Sequence, residues 1–89
     1  MITGTTKTGF EYSIDPDVVN DMEFVELAAA AREDGLLLPK IITWVLGDDQ
    51  KKALYAHVRE KHGTAKADVV GEEFTEIILS INTAKETKN

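Results

Sequence analysis

Apolar positions recur at helical spacing along most of this chain, and glycine and proline cut the recurrence into pieces. In the most apolar stretch, Leu36 to Leu46, eight of the eleven residues are apolar. Ile41, Ile42, Val45 and Leu46 recur there at helical spacing, with Trp44 beside them. Pro39 suits a first helical turn, where the N–H it lacks would have no partner. Gly47 predicts a left-handed helix stop, and Asp48 an N-cap for a second helix. On that helix Leu54, His57, Val58 and Lys61 share a face, up to a second stop at Gly63. So many apolar residues in one helical pair need cover from elsewhere in the chain or from a partner.

The flanking segments carry weaker versions of the same signal. Val18, Met22, Val25 and Ala29 fall at i, i+4, i+7 and i+11, one helical face that Leu27 and Ala28 widen. Asp15-Pro16 is a helix start, and the helix either runs unbroken from Pro16 or restarts with Asn20 or Asp21 as its cap; Asp34-Gly35 ends it. Downstream, Thr64 is a candidate N-cap for a helix on which Val70, Phe74, Ile77 and Ile81 align, with Ile78 alongside. Gly71 inside that helix costs about 1 kcal/mol relative to alanine, so it marks either an interhelix contact or a later start near Glu72. At the other end, Phe10, Tyr12 and Ile14 alternate with Glu11 and Ser13, the period of a half-buried strand expected to pack on the helices. Met1 to Gly9 has no apolar pattern and is expected to be loosely attached, and Thr83 to Asn89 to fray. The fold class predicted is mainly α: a small single-domain helical fold over residues 1–89, with about four helices and a short extended N-terminal segment. Its ordered core is expected at roughly residues 10–82, between flexible ends.

Charge and length narrow the function classes. A chain of 89 residues suffices for one modest core. The net charge of −6 argues against nucleic acid, whose phosphates demand a basic footprint. The distribution is uneven: Glu11 to Asp34 holds eight acids against Arg32 alone, whereas Lys40 to Lys66 holds six bases against three acids. Such opposite halves can attract within one molecule or between copies. No cysteine is present, which removes disulfides and thiolate metal sites. No apolar run approaches a membrane span, and the N-terminus lacks the regions of a signal peptide, so a cytoplasmic location without membrane contact is expected.

Catalytic chemistry finds no footing. His57 and His62 are five apart and point to different faces, unlike a zinc pair. Ser13 and Ser80 sit in no nucleophile-elbow pattern, and Ser80 on an apolar helix reads as a hydroxyl bonded back to its own helix. The glycines are too dispersed to cradle a phosphate, and helix capping accounts for Asp48-Asp49 without a metal. A helix-turn-helix at Gly47 would press Asp48 and Asp49 against phosphates. No catalytic, cofactor-binding or metal-binding residue is therefore expected, and no cofactor. The candidates for contact with a protein partner are Leu37, Trp44 and Tyr55, of which Trp44 and Tyr55 are equally core-type residues, together with Lys51 and Lys52.

The order of these features resembles the small tail assembly chaperones of long-tailed (siphovirus-type) bacteriophages and prophages. The resemblance spans Phe10 to Ile81: FEYSID, then the acidic helix DPDVVNDMEFVELAAAARED, then LPKIITWVLGDDQKKALYAHVREKHG with its proline start and Gly-Asp corner, and TAKADVVGEEFTEII. It implies a non-enzymatic protein that binds and solubilises the tape-measure protein before the tail tube polymerises. It implies a host-cytoplasmic location, absence from the finished virion, and the major tail protein as a further candidate partner. Such proteins are often made in a second, longer form by translational frameshift near the end of the gene. Self-association through the opposed charges is an expectation from this sequence and not from the family. The alternative is a small acidic helical adaptor or inhibitor that binds one folded protein.

Overall fold

The computed structural model describes residues 1–87, with side chains described through Ile81. Two short strands open the chain, β1 (Ile2–Thr5) and β2 (Glu11–Ile14), antiparallel with Thr3 opposite Ser13 and Gly4 opposite Tyr12. Three helices follow: α1 (Met22–Glu33), α2 (Leu38–His62) and α3 (Ala67–Thr87). Short 3₁₀ turns at Pro16–Val19 and Gly35–Leu37 lead into α1 and α2. The chain is mainly helical, as its periodicity predicts, with three helices among the described residues where four are expected, the expected middle pair being the two halves of α2.

That difference lies at Gly47, which interrupts α2 with φ 81° and ψ 166°, after which the helix resumes at once. Only glycine occupies this conformation readily. The expected corner is present, but as a kink inside one helix, and Asp48 pairs with Lys51 at 3.9 Å rather than capping a new one. The carbonyl of Leu46 beside the kink accepts from Gln50 Nε2 at 2.8 Å. The same amide group reaches β2: Nε2 donates to the Ser13 carbonyl and Oε1 accepts from the Ser13 N–H, both at 2.7 Å. One side chain thus satisfies the strand edge that β1 leaves open.

The N-terminal segment, expected to be loose, is instead a strand. Thr3 and Thr5 are β-branched and suit a pleated ribbon, and Gly4 leaves room for Tyr12, whose Oη would lie 2.5 Å from a Cβ added there. Ser80 Oγ donates to the Ile77 carbonyl at 2.7 Å, the expected back-bond, so the 2.6 Å contact between Tyr12 Oη and Ser80 Oγ has tyrosine as donor. β2 therefore pairs with its own hairpin partner and also packs on the helices.

A single cluster of buried side chains joins the elements. Phe10, Tyr12 and Ile14 come from the hairpin; Ile41, Ile42, Val45, Leu46, Leu54 and Val58 from α2; Val70, Phe74, Ile77 and Ile81 from α3. The apolar periodicities of α2 and α3 predict their share of this cluster. For α1 they predict the wrong face. No residue of α1 is fully buried; Phe24, Leu27, Ala28 and Ala31 turn inward, while Met22, Val25 and Ala29 face out. Both faces are apolar, and the one with Phe24 and Leu27 has more area to bury.

The ends of the helices follow local chemistry. Asp15 and Asp21 accept from the N–H groups of Asp17 and Glu23 at 3.0 and 2.7 Å, so the chain restarts at Asp21 rather than running on from Pro16. Gly63 closes α2 with φ 82°. Thr64 does not cap the last helix, which begins three residues later, with the Val70 N–H bonded to the Lys66 carbonyl at 2.9 Å. Gly71 marks an interhelix approach: a Cβ there would stand 3.8 Å from Leu38 Cδ2. α3 continues to Thr87, through most of the stretch expected to fray, and Lys88 and Asn89 lie outside the described residues.

Candidate functional site

The turn at Gly35–Leu37, α2 and the start of α3 frame an apolar cleft of about 300 Å³. Gly35, Leu36, Leu38 and Pro39 form one wall, and Tyr55 contributes from the second half of α2. Ala65, Ala67 and Val70 close it from the α2–α3 connection and the first turns of α3. Leu36 stands at its rim, 87% exposed. A leucine so exposed costs nothing locally but remains apolar surface in water, about 25 cal/mol for each Å² that a partner could cover. Small residues on one side and a ring on the other shape the cleft for one or two large aliphatic side chains.

Lys66 lies between Ala65 and Ala67 in the chain, and Lys52 and Arg59 stand one turn either side of Tyr55, all three exposed, whereas Lys40 lines a separate groove with Glu23 and Glu26. Asp34 and Asp68 also adjoin cleft residues in the chain; each accepts at Oδ1, from the N–H groups of Leu36 and Val69 at 3.0 and 2.9 Å, and each keeps its negative charge.

A second uncovered surface is the outer face of α1. Met22 is 69% exposed and Val25 49%, with Ala29 in line one turn on and Glu26 and Glu33 on the same face. Among the described residues, the only ion pair is Lys51–Asp48, so none of the carboxylates of α1 is neutralised by a neighbour.

The five residues expected to contact a partner do not form one patch. Tyr55 lines the cleft. Leu37 is half-buried between two cleft residues without lining it. Trp44 lies over a different groove, beside Glu23, Glu26, Leu27 and Lys40, and its indole N–H donates to the Val18 carbonyl at 3.1 Å, strapping the 3₁₀ turn to α2. Lys51 is occupied internally: its Nζ donates to Thr43 Oγ1 at 2.7 Å, across the Gly47 kink. Lys52 is exposed near the cleft. The residues that sequence reasoning missed are Leu36 and the outer stripe of α1. Their signal was present, because a helix apolar on opposite faces has one face left over after packing.

A third constellation is polar and was not anticipated. Glu73, only 5% exposed, accepts at Oε1 from Thr6 Oγ1 at 2.8 Å and Thr8 Oγ1 at 2.9 Å. Each hydroxyl has a single proton, and both go to the carboxylate, so His57 Nε2 carries the proton in its 2.9 Å contact with Thr8 Oγ1. The Lys7 N–H donates to Glu76 at 2.8 Å, and the His57 ring lies 5.7 Å from that of Phe10. All of these bonds join the hairpin loop to α2 and α3, and the arrangement acts as a clasp. Among the described residues, no three His, Cys, Asp or Glu side chains gather to hold a metal ion, and no helix is long and apolar enough to cross a membrane.

The uncovered surfaces of this chain are thus apolar and charged, and they suit contact with another polypeptide. Compared with known proteins, the chain matches no family model, no curated protein and no solved structure.

Proposed function

We propose that this chain is a non-enzymatic tail assembly chaperone of a long-tailed bacteriophage or prophage, binding helical segments of the tape-measure protein during tail morphogenesis. The observation that carries the reading is the apolar cleft with Leu36 exposed at its rim. A long helical client exposes apolar stripes that need reversible cover, and a shallow cleft releases what it holds more readily than a closed pocket does. Exposed Lys52, Arg59 and Lys66, each close in the chain to a cleft residue, favour clients whose apolar stripe is flanked by acids. In this reading the protein works in the host cytoplasm, has the major tail protein as a further partner, and is absent from the finished virion.

The test begins with the DNA flanking the gene, where an overlapping shifted frame and a very long downstream gene are expected. Co-expression with that downstream product follows. The client should become soluble with several copies of this chain bound along it, and Leu36→Glu should reduce the recovered complex at least tenfold without changing the fold. A complex saturating at one copy per folded partner would point to the adaptor reading instead. Soluble complex unaffected by Leu36→Glu would remove the cleft from the function.

A further inference from the structure

The two edges of the hairpin differ. On β2, Ser13 turns its N–H and carbonyl away from β1, and Gln50 engages both. Ser13 stands opposite Thr3, and residues directly opposite in an antiparallel pair either bond each other or both turn outward. Thr3 therefore turns its own N–H and carbonyl off the free edge of β1. So does Thr5, two residues on and opposite Glu11. Both threonines are exposed, and among the described residues these four main-chain groups have no hydrogen-bond partner. Nothing in the sequence of β1 guards the edge, since Ile-Thr-Gly-Thr holds neither charge nor proline. We propose that β1 pairs antiparallel with β1 of a second copy about a two-fold axis at Gly4, joining the two hairpins into one four-stranded sheet.

The register follows from the groups themselves. With Gly4 opposite Gly4, Thr3 of each copy stands opposite Thr5 of the other, and each such pair exchanges two hydrogen bonds. The two pairs satisfy every outward group of both strands, and no shifted register does so within Ile2–Thr5. Threonine then faces threonine across the sheet, a favourable cross-strand pair. A helical client cannot take this place, because its own backbone groups are already bonded within the helix. The contact is isologous, so it closes at two copies. It is also small and opposed by the net charge of −6 on each copy, so it is weak and salt strengthens it. It needs neither the cleft nor a client, and it stands or falls apart from the chaperone reading.

The test exploits the absence of cysteine, which lets Thr3→Cys and Thr5→Cys each introduce a single thiol. In the proposed register the two positions face each other with Cα atoms about 5.5 Å apart, within the span of a disulfide. The variants are mixed in equal amounts in a glutathione redox buffer at high salt, one of them isotope-labelled so that mass spectrometry separates the products. The disulfide between the two variants should exceed either homodisulfide by about tenfold, because Thr3–Thr3 and Thr5–Thr5 lie on the longer diagonals. Association through any other surface leaves the products near their statistical ratio, and that ratio would overturn the proposal. A second measurement uses the unsubstituted chain. Amide hydrogen exchange at Thr3 and Thr5 should slow as the loading rises, and Thr5→Pro, which removes an N–H that an edge strand can spare, should abolish the slowing at Thr3. Exchange at Thr3 that is independent of loading, or slowing that survives Thr5→Pro, would overturn it as well.

Discussion

Replacing Gly47 by alanine tests the kink that organises the centre of the molecule. A Cβ at this position would meet nothing within 4 Å, so the substitution introduces no clash. Any loss must come from the backbone, held at φ 81° and ψ 166°. Non-glycine residues in such regions carry strain of about 1–3 kcal/mol. The chain has one way to avoid it, which is to straighten α2 into regular helix. Straightening gains about 1 kcal/mol of helix propensity. It also pulls Gln50 from Ser13 and Leu46, and Lys51 from Thr43. Four hydrogen bonds at about 0.5–1.5 kcal/mol each make that route no cheaper than the strain.

Gly47→Ala should therefore destabilise the protein by about 1–3 kcal/mol, or roughly 4–8 °C in Tm per kcal/mol for a domain of this size. Urea titration followed by Trp44 fluorescence and far-ultraviolet circular dichroism measures it, with the slope m unchanged. Gly71→Ala is the internal control. It makes the same chemical change in regular helix, with its Cβ in ordinary contact 3.8 Å from Leu38 Cδ2, and it should stabilise by about 0.5–1 kcal/mol. Opposite signs for one substitution isolate the backbone contribution. A neutral or stabilising Gly47→Ala with undiminished helicity would refute the reasoning.

Gln50→Leu keeps the side-chain bulk but leaves the N–H and carbonyl of Ser13 and the carbonyl of Leu46 without their partner, and chemical denaturation should show a loss of about 2–4 kcal/mol. Thr6→Val leaves the buried Glu73 carboxylate with Thr8 as its remaining hydroxyl donor; the same assay should read a loss of about 1–3 kcal/mol, partly restored by adding Glu73→Leu. Native-state hydrogen exchange should rank α1, which has no fully buried residue, well below the halves of α2 and α3 that carry Ile42, Leu54 and Ile77. Equal protection across the three helices would contradict that ranking.

What the sequence makes legible is local. Asp15, Asp21, Gly47 and Gly63 announce their roles through chemistry that operates within a few residues, and each has the role or backbone conformation so predicted. The apolar periods of α2 and α3 are equally readable, since each has one strongly apolar face. Three things are not legible. β1 is a strand because Tyr12, eight residues beyond Gly4, covers the glycine, and no pattern within Ile2–Thr5 says so. Glu73 looks like any surface acid of a helix until the hairpin loop brings two threonine hydroxyls to it. Lys51 and Trp44 look free for a partner, but the kink and the 3₁₀ turn supply internal acceptors. Of the expected contact residues only Tyr55 reaches the cleft, because side-chain availability depends on geometry between elements and composition does not encode it.

The excess of apolar residues around Leu36 to Leu46 bears directly on function. α2 buries Ile41, Ile42, Val45 and Leu46 to 5% exposure or less, so half of the eight apolar residues there are ordinary core. Besides Met1, Trp44 and Leu79, the large apolar residues left uncovered among the described ones are Leu36 and those on the far side of α1, at the two ends of one helix-and-turn segment. A protein under selection only for its own stability has no use for either: a polar residue at position 36 or 25 would leave every buried contact intact and raise solubility. Folding places these residues on the surface without needing them there.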